Sequence, residues 1–214
     1  MGMESNWAAE NLRVIRTLME RSAVYRRELA PLMLLAGTVG TFAAAIGWFA
    51  RIESPRAFVG YWLAVGVLTI AGCFLLLRRQ ALKDADPLWS PPTRRVTQAL
   101  LPALVAGLVG SAVALLKVGA ADEKSANVVG LVFLPPAWIA LYGCAIHAAG
   151  FFMQRGIRLF GWAFILGGCG LFAVGVPDLP GPLYAHGVMG FFFGGLHLAY
   201  GAYLFCTEKR KKEA

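Results

Sequence analysis

The chain has 214 residues, 58% of them hydrophobic and only 15% charged, with a formal charge of +8 at pH 7 and a mean hydropathy of +0.62. Water-soluble domains carry about 25% charged residues, so this composition excludes an ordinary soluble domain. The basic excess has no folded basic domain to sit on, which argues against nucleic acid as a partner.

Residues 1–30 are polar and charged, with no early apolar core or small-residue cleavage site, so no signal peptide is expected. From Asn6, a suitable N-cap, the pattern predicts an amphipathic cytoplasmic helix. Ala8, Leu12, Ile15, Leu18, Met19 and Ala23 share one face, and Glu10, Arg13, Thr17, Glu20 and Arg21 the other. Such a helix lies on a membrane surface. Its spacing also suits a docking helix, which makes Leu12, Ile15 and Met19 candidates to face a cytosolic protein partner.

Six runs without Asp, Glu, Lys or Arg follow, at 31–50, 58–77, 96–116, 128–153, 159–176 and 183–206. Each has at least 18 residues, where a helix needs roughly 17–25 to span a hydrocarbon core. The expected fold is therefore all-α: a polytopic membrane bundle of six transmembrane helices over 31–206, preceded by the amphipathic helix and followed by a basic tail at 207–214. The longest connector, Arg78 to Arg95, is too short for a core of its own. Counted on alternate sides, sixteen of the 20 Lys and Arg fall on one side, while Arg51, Arg56, Lys117 and Lys124 fall on the other. The positive-inside rule then places both termini in the cytoplasm. Trp48, Tyr61, Trp62 and Tyr184 near outer ends, and Tyr25, Trp162 and Tyr203 near inner ends, read as interfacial anchors.

Within this frame several stretches stand out. The first and third spans share a pattern, Ala36-Gly37-Thr38-Val39-Gly40-Thr41 against Ala106-Gly107-Leu108-Val109-Gly110-Ser111, each after an Arg-Arg pair and a proline. It suits either a repeated hairpin or a common packing demand. The connector Arg78 to Arg95 holds Trp89 and the consecutive prolines Pro91 and Pro92, which bar a continuous helix. It reads as an amphipathic turn or as a docking site for a cytosolic partner. In the fourth span Pro135-Pro136 should kink the helix, and further along Tyr142, Gly143, Cys144 and His147 follow. In the sixth, His186, Gly190, Gly194, His197 and Gly201 fall within roughly an 80° arc of an ideal helix. That stripe invites close approach by a neighbouring helix, with Phe191, Phe192, Leu196 and Ala199 turned to lipid. His186 is expected at the outer interface. Cys73, Cys144, Cys169 and Cys206 are expected as free buried thiols.

The run Glu10-Asn11-Leu12 through Arg26-Arg27, with Met189-Gly190-Phe191-Phe192-Phe193-Gly194, Leu196-His197-Leu198-Ala199-Tyr200-Gly201 and the closing Thr207-Glu208-Lys209-Arg210-Lys211, resembles an uncharacterised family of small bacterial inner-membrane proteins. The resemblance spans nearly the whole chain and implies a location in the bacterial inner membrane, with no activity attached.

No span contains a charged residue, so carboxylate relays and voltage-sensing arginines are missing, and no nucleophile–base pair or phosphate-binding loop appears. The leading expectation is a non-catalytic protein that senses, scaffolds or binds a partner, without a cofactor or metal. The alternative is a small-solute transporter or channel with a cavity lined by Thr38, Thr41, Ser111, Tyr142, His147, His197 and Tyr200. A smaller alternative is haem held between His147 and His197. The bilayer itself is the first partner, and the small-residue stripes leave room for a homo-oligomer.

Overall fold

The computed structural model describes residues 29–83, 89–174 and 181–213, without the side chains of Pro92 and residues 208–213. The N-terminal segment with Leu12, Ile15 and Met19 lies outside the described residues. Among the described residues everything regular is helical, and six helices are long and apolar enough to cross a membrane. They are α1 (Leu29–Phe49), α2 (Pro55–Lys83), α3 (Pro91–Ala120), α4 (Glu123–Ala149), α5 (Arg155–Val174) and α6 (Gly181–Glu213). Leu29 and Ala30, assigned from the sequence to the cytoplasmic helix, instead belong to α1 and are buried. Both are apolar, so they join the uncharged run that follows.

Two glycine-packed interfaces organise the bundle. Along α1 and α6, a Cβ added at Gly37 would lie 2.6 Å from the Leu198 nitrogen, one at Gly40 2.5 Å from the Phe193 carbonyl oxygen, and one at Gly194 2.8 Å from the Thr41 nitrogen. Gly201 lies against Leu34 and Gly190 against Ala44, so numbers rise on one helix as they fall on the other and the pair is antiparallel. α4 and α5 repeat the arrangement: Gly168 meets Ala140, Gly143 meets Ile165, Gly161 meets His147 and Gly150 meets Arg158. In hydrocarbon, where burial of apolar surface gives helices no reason to associate, such backbone-to-backbone contact supplies the dispersion energy that side chains supply in water.

The remaining neighbours are also antiparallel. Phe192 packs on Gly167 and Tyr200 on Gly156 between α6 and α5; Trp138 bonds Ser111 between α4 and α3; Tyr61 bonds the Ala43 carbonyl between α2 and α1. The helices thus follow one another around the bundle in the order α2, α1, α6, α5, α4, α3. The start of α1 and the end of α6 lie together, with Leu29 and Leu204 in one core cluster. α2 and α3 are peripheral: only 11% of the residues in the apolar window of each are buried, against 28–39% in the other four. Outward faces carry large apolar side chains such as Phe49, 84% exposed, and Leu116, 76% exposed, a surface matched to lipid and not to water. Cys144, Cys169 and Cys206 belong to it, contrary to the buried thiols expected; Cys73 alone is half-buried.

Local chemistry explains where the helices stop and bend. α1 ends in a Schellman turn: Ile52 N–H donates to the Gly47 carbonyl at 3.1 Å and Arg51 N–H to the Trp48 carbonyl at 3.3 Å. Arg51 takes the left-handed position at φ 49°, where glycine is usual. Pro91 and Pro92 open α3 at its first positions, where no helical N–H is needed. α2 runs on to Lys83 and α3 starts at Pro91, so Arg78, Arg79, Arg94 and Arg95, assigned from the sequence to the connector, are helical. α4 starts at Asp122, whose carboxylate caps Ser125 N–H at 3.1 Å. The Ser125 hydroxyl and N–H hold that carboxyl below the usual carboxylate range. Just before Pro135-Pro136, where a kink was expected, the structure has a π-turn over Val128–Phe133. The Leu131 carbonyl would be served by residue 135 in an α-turn or residue 136 in a π-turn, and both are prolines without an N–H. Leu134 N–H meanwhile reaches back to the Val129 carbonyl, and the helix widens.

A second π-turn, Gly190–Leu196, divides α6. A π-turn amounts to one extra residue, about 100° of rotation on a 3.6-residue helix. Of the single arc expected for His186, Gly190, Gly194, His197 and Gly201, four members still meet α1, at Gly47, Ala44, Thr41 and Leu34, while His197 turns away to α4 and α5. Phe192, expected to face lipid, is buried against Phe164 and Gly167, while Phe191 remains 59% exposed.

Candidate functional site

α6 carries two buried histidines, one on each side of its π-turn, and each is held differently. His197 is 1% exposed. Its Nδ1 lies 3.1 Å from the Phe192 carbonyl and its Nε2 2.7 Å from the Tyr142 hydroxyl. A carbonyl only accepts, so Nδ1 carries the proton; Nε2 of the neutral ring then accepts from Tyr142. His197 N–H itself bonds the Gly194 carbonyl, so the ring serves a carbonyl loosened by the π-turn. Phe160, Phe164 and Phe193 box the pair, with ring centroids 5.1, 5.3 and 6.2 Å from the imidazole. The result is one tyrosine and one histidine satisfying each other inside an aromatic enclosure drawn from α4, α5 and α6.

His186, expected at an interface, lies beside Ile52 of the first connection but is fully buried. It occupies the slot left by Gly47, where a Cβ would overlap the ring. Trp62 Nε1–H donates to its Nδ1 at 3.1 Å and its Nε2–H donates to the Ile52 carbonyl at 3.1 Å. Indole only donates and a carbonyl only accepts, so a single neutral tautomer fits. The carbonyl belongs to the Schellman turn, so the end of α1, the start of α2 and the start of α6 meet on one ring. Phe58 stacks on it edge-on at 4.9 Å. Trp62, expected as an interfacial anchor, is 5% exposed and serves this bond instead. The spacing of Phe58 and Trp62, one helical turn apart, was the only sign of it in the sequence.

Of the residues proposed to line a cavity, the structure brings Tyr142 and His197 together and distributes the rest. Tyr200 stacks on Phe160 at 4.7 Å, at the edge of the same cluster. His147 has other partners: its Nδ1 is 3.4 Å from the Arg158 carbonyl, and Phe151 and Trp162 meet its ring edge-on at 5.3 and 5.2 Å. Thr38 and Thr41 bond back to the Leu34 and Gly37 carbonyls at 2.7 and 2.8 Å. Ser111 bonds the Gly107 carbonyl and accepts from Trp138 Nε1 at 2.6 Å, tying α3 to α4. Because His147 and His197 share none of these partners and both His197 nitrogens are engaged, ligating haem would require breaking the bond to Tyr142. Among the described residues no three His, Cys, Asp or Glu side chains group as a metal site.

A cleft at the end of the bundle remote from the start of α1, between α4, α5 and α6, has a volume of about 20 Å³, room for about one water. It is lined by Leu131, Val132, Pro135, Pro136, Leu171, Tyr184, Ala185 and Val188, and includes none of the residues proposed for a cavity. No known protein family, characterised protein or solved structure matches the chain.

Proposed function

We propose that this multi-pass protein sits in the bacterial cytoplasmic membrane with both termini in the cytoplasm and works as a non-catalytic scaffold or sensor that binds a partner. One observation carries the reading: Tyr142 and His197, the most chemically capable side chains in the spans, hydrogen-bond to each other inside an aromatic box. Around them the glycine-packed α1–α6 and α4–α5 interfaces leave backbone against backbone. Such an interior suits holding a shape. The weight of Lys and Arg on the side of the termini supports the orientation, and the cytoplasmic face offers the N-terminal segment and the basic tail to a soluble partner.

Reconstitution separates this reading from transport. Proteoliposomes are expected to release entrapped ions and small polar solutes no faster than protein-free vesicles. Solute release that depends on the protein and is altered by Tyr142→Phe or His197→Gln would overturn the proposal in favour of a conduit.

A further inference from the structure

α2 and α3 bury whole side chains at one end only; nearer the connection Leu100 packs partly on the core and Gly72 approaches Leu35. α2 buries Phe58, Val59 and Trp62, and α3 buries Ser111, Ala114 and Val118, all in the halves remote from the 84–90 connection. The halves nearer the connection bury no side chain among those described. They expose Phe74, Leu75 and Leu82 on α2 and Leu101 on α3, by 51, 61, 74 and 55%. From Val67 to Leu77 the uncharged part of α2 rises ~16 Å at ~1.5 Å per residue, about one leaflet of a ~30 Å core.

At the ends of these apolar flanks stand Arg78, Arg79, Lys83, Arg94 and Arg95, all exposed. None of the five makes an ion pair or side-chain hydrogen bond among the described residues. The connection contributes Asp84 and Asp86, which leaves cations in excess, five to two. By contrast Arg158 is occupied by the face of Phe151, 5.3 Å away. Between the arginine pair and Lys83, the Gln80 Oε1 is buried without a hydrogen-bond partner among the described residues. Trp89, just before α3, is 60% exposed, as an interfacial ring would be.

We propose that the connection-proximal ends of α2 and α3 form a binding site for an anionic phospholipid, its phosphate at Arg78, Arg79, Arg94 and Arg95 and its acyl chains along the two apolar flanks. Guanidinium matches phosphate by paired N–H bonds, and basic groups between spans at the membrane surface take such headgroups. A soluble phosphate would use the cations but not the flanks. An acidic protein segment would reach the cations but not the leaflet depth where the flanks lie. The proposal rests on the membrane placement and not on the scaffold reading, so either stands if the other fails.

The test is native mass spectrometry of the full chain in detergent, offered equal amounts of phosphatidylglycerol and phosphatidylcholine with the same acyl chains. Retained phosphatidylglycerol is expected to exceed phosphatidylcholine by about tenfold, and Arg78→Gln/Arg79→Gln or Arg94→Gln/Arg95→Gln to lower its retention by about tenfold. The charge-matched control Lys117→Gln/Lys124→Gln should leave retention unchanged, and Arg78→Lys/Arg79→Lys should restore part of it. Excess glycerol phosphate should not displace the lipid. Equal retention of the two lipids, indifference to the arginine substitutions, displacement by glycerol phosphate, or an acidic polypeptide retained in place of lipid would each overturn the proposal.

Discussion

Tyr142 and His197 show how a polar pair is made tolerable among helices in lipid: each removes the other's unsatisfied group, and the Phe192 carbonyl takes the remaining proton. Tyr142→Phe leaves Nε2 without a donor inside the aromatic box. The expected cost is roughly 1–2 kcal/mol of bundle stability, at the lower end because helices unfolded within a membrane also find partners. Thermal or denaturant unfolding in detergent micelles reads it, and an unchanged midpoint would mean the bond contributes nothing. Arg51 is the opposite case, a residue at odds with its backbone. At φ 49° an L side chain is strained by ~1 kcal/mol relative to glycine. The ion pair with Glu53, 3.9 Å long between side chains 80% and 51% exposed, offsets little. Arg51→Gly is therefore expected to stabilise the protein, by about 1 kcal/mol in the same unfolding measurement. That a histidine beside a glycine stripe would bond backbone or a tyrosine across helices was expected from the sequence; this particular pair, and the strain at Arg51, were not legible there. Which histidine would meet which partner depends on inter-helix register, and a C-cap occupied by arginine carries no composition signal.

At the scale of elements, the six apolar runs and the glycine stripes were readable because both are one-dimensional patterns: absence of charge over a length, and small residues at helical spacing. The π-turns were not. One follows from prolines that withdraw two donors, yet proline predicts a kink without saying which kind. The other lies in a glycine-rich stretch with no proline at all, so the ideal-helix wheel for α6 misassigned Phe192 and put both histidines on one face. Two substitutions and one deletion probe these elements. Gly143→Ala places a Cβ 2.6 Å from the Ile165 backbone nitrogen and should destabilise the α4–α5 pair by roughly 2 kcal/mol or more, whereas Gly110→Ala, which meets nothing within 4 Å, should be neutral or slightly stabilising. Equal effects of the two would contradict the packing described. Deleting Gly195, whose added Cβ would meet nothing within 4 Å, should convert the π-turn to an α-turn. His186 is thereby rotated by about 100° relative to His197. One of the two histidine bonds must then break, with a loss in unfolding midpoint larger than for Gly195→Ala, which keeps the turn.

Over the whole molecule, the antiparallel ring of six helices, the outward apolar faces and the meeting of the start of α1 with the end of α6 describe a body built to cross a bilayer an even number of times. Length and composition alone announced the crossings. What each crossing touches had to come from the fold, because a lipid-facing leucine and a packed leucine read alike in a sequence. Labelling single cysteines with a membrane-impermeant thiol reagent in intact cells tests the six crossings directly. The chain would first be freed of Cys73, Cys144, Cys169 and Cys206. Cysteines at Glu53 and Asp122, in the first and third connections, are expected to react from outside, and those at Trp89 and Gln154, in the second and fourth, only after the membrane is opened. Labelling of two successive connections from the same side would contradict six alternating crossings.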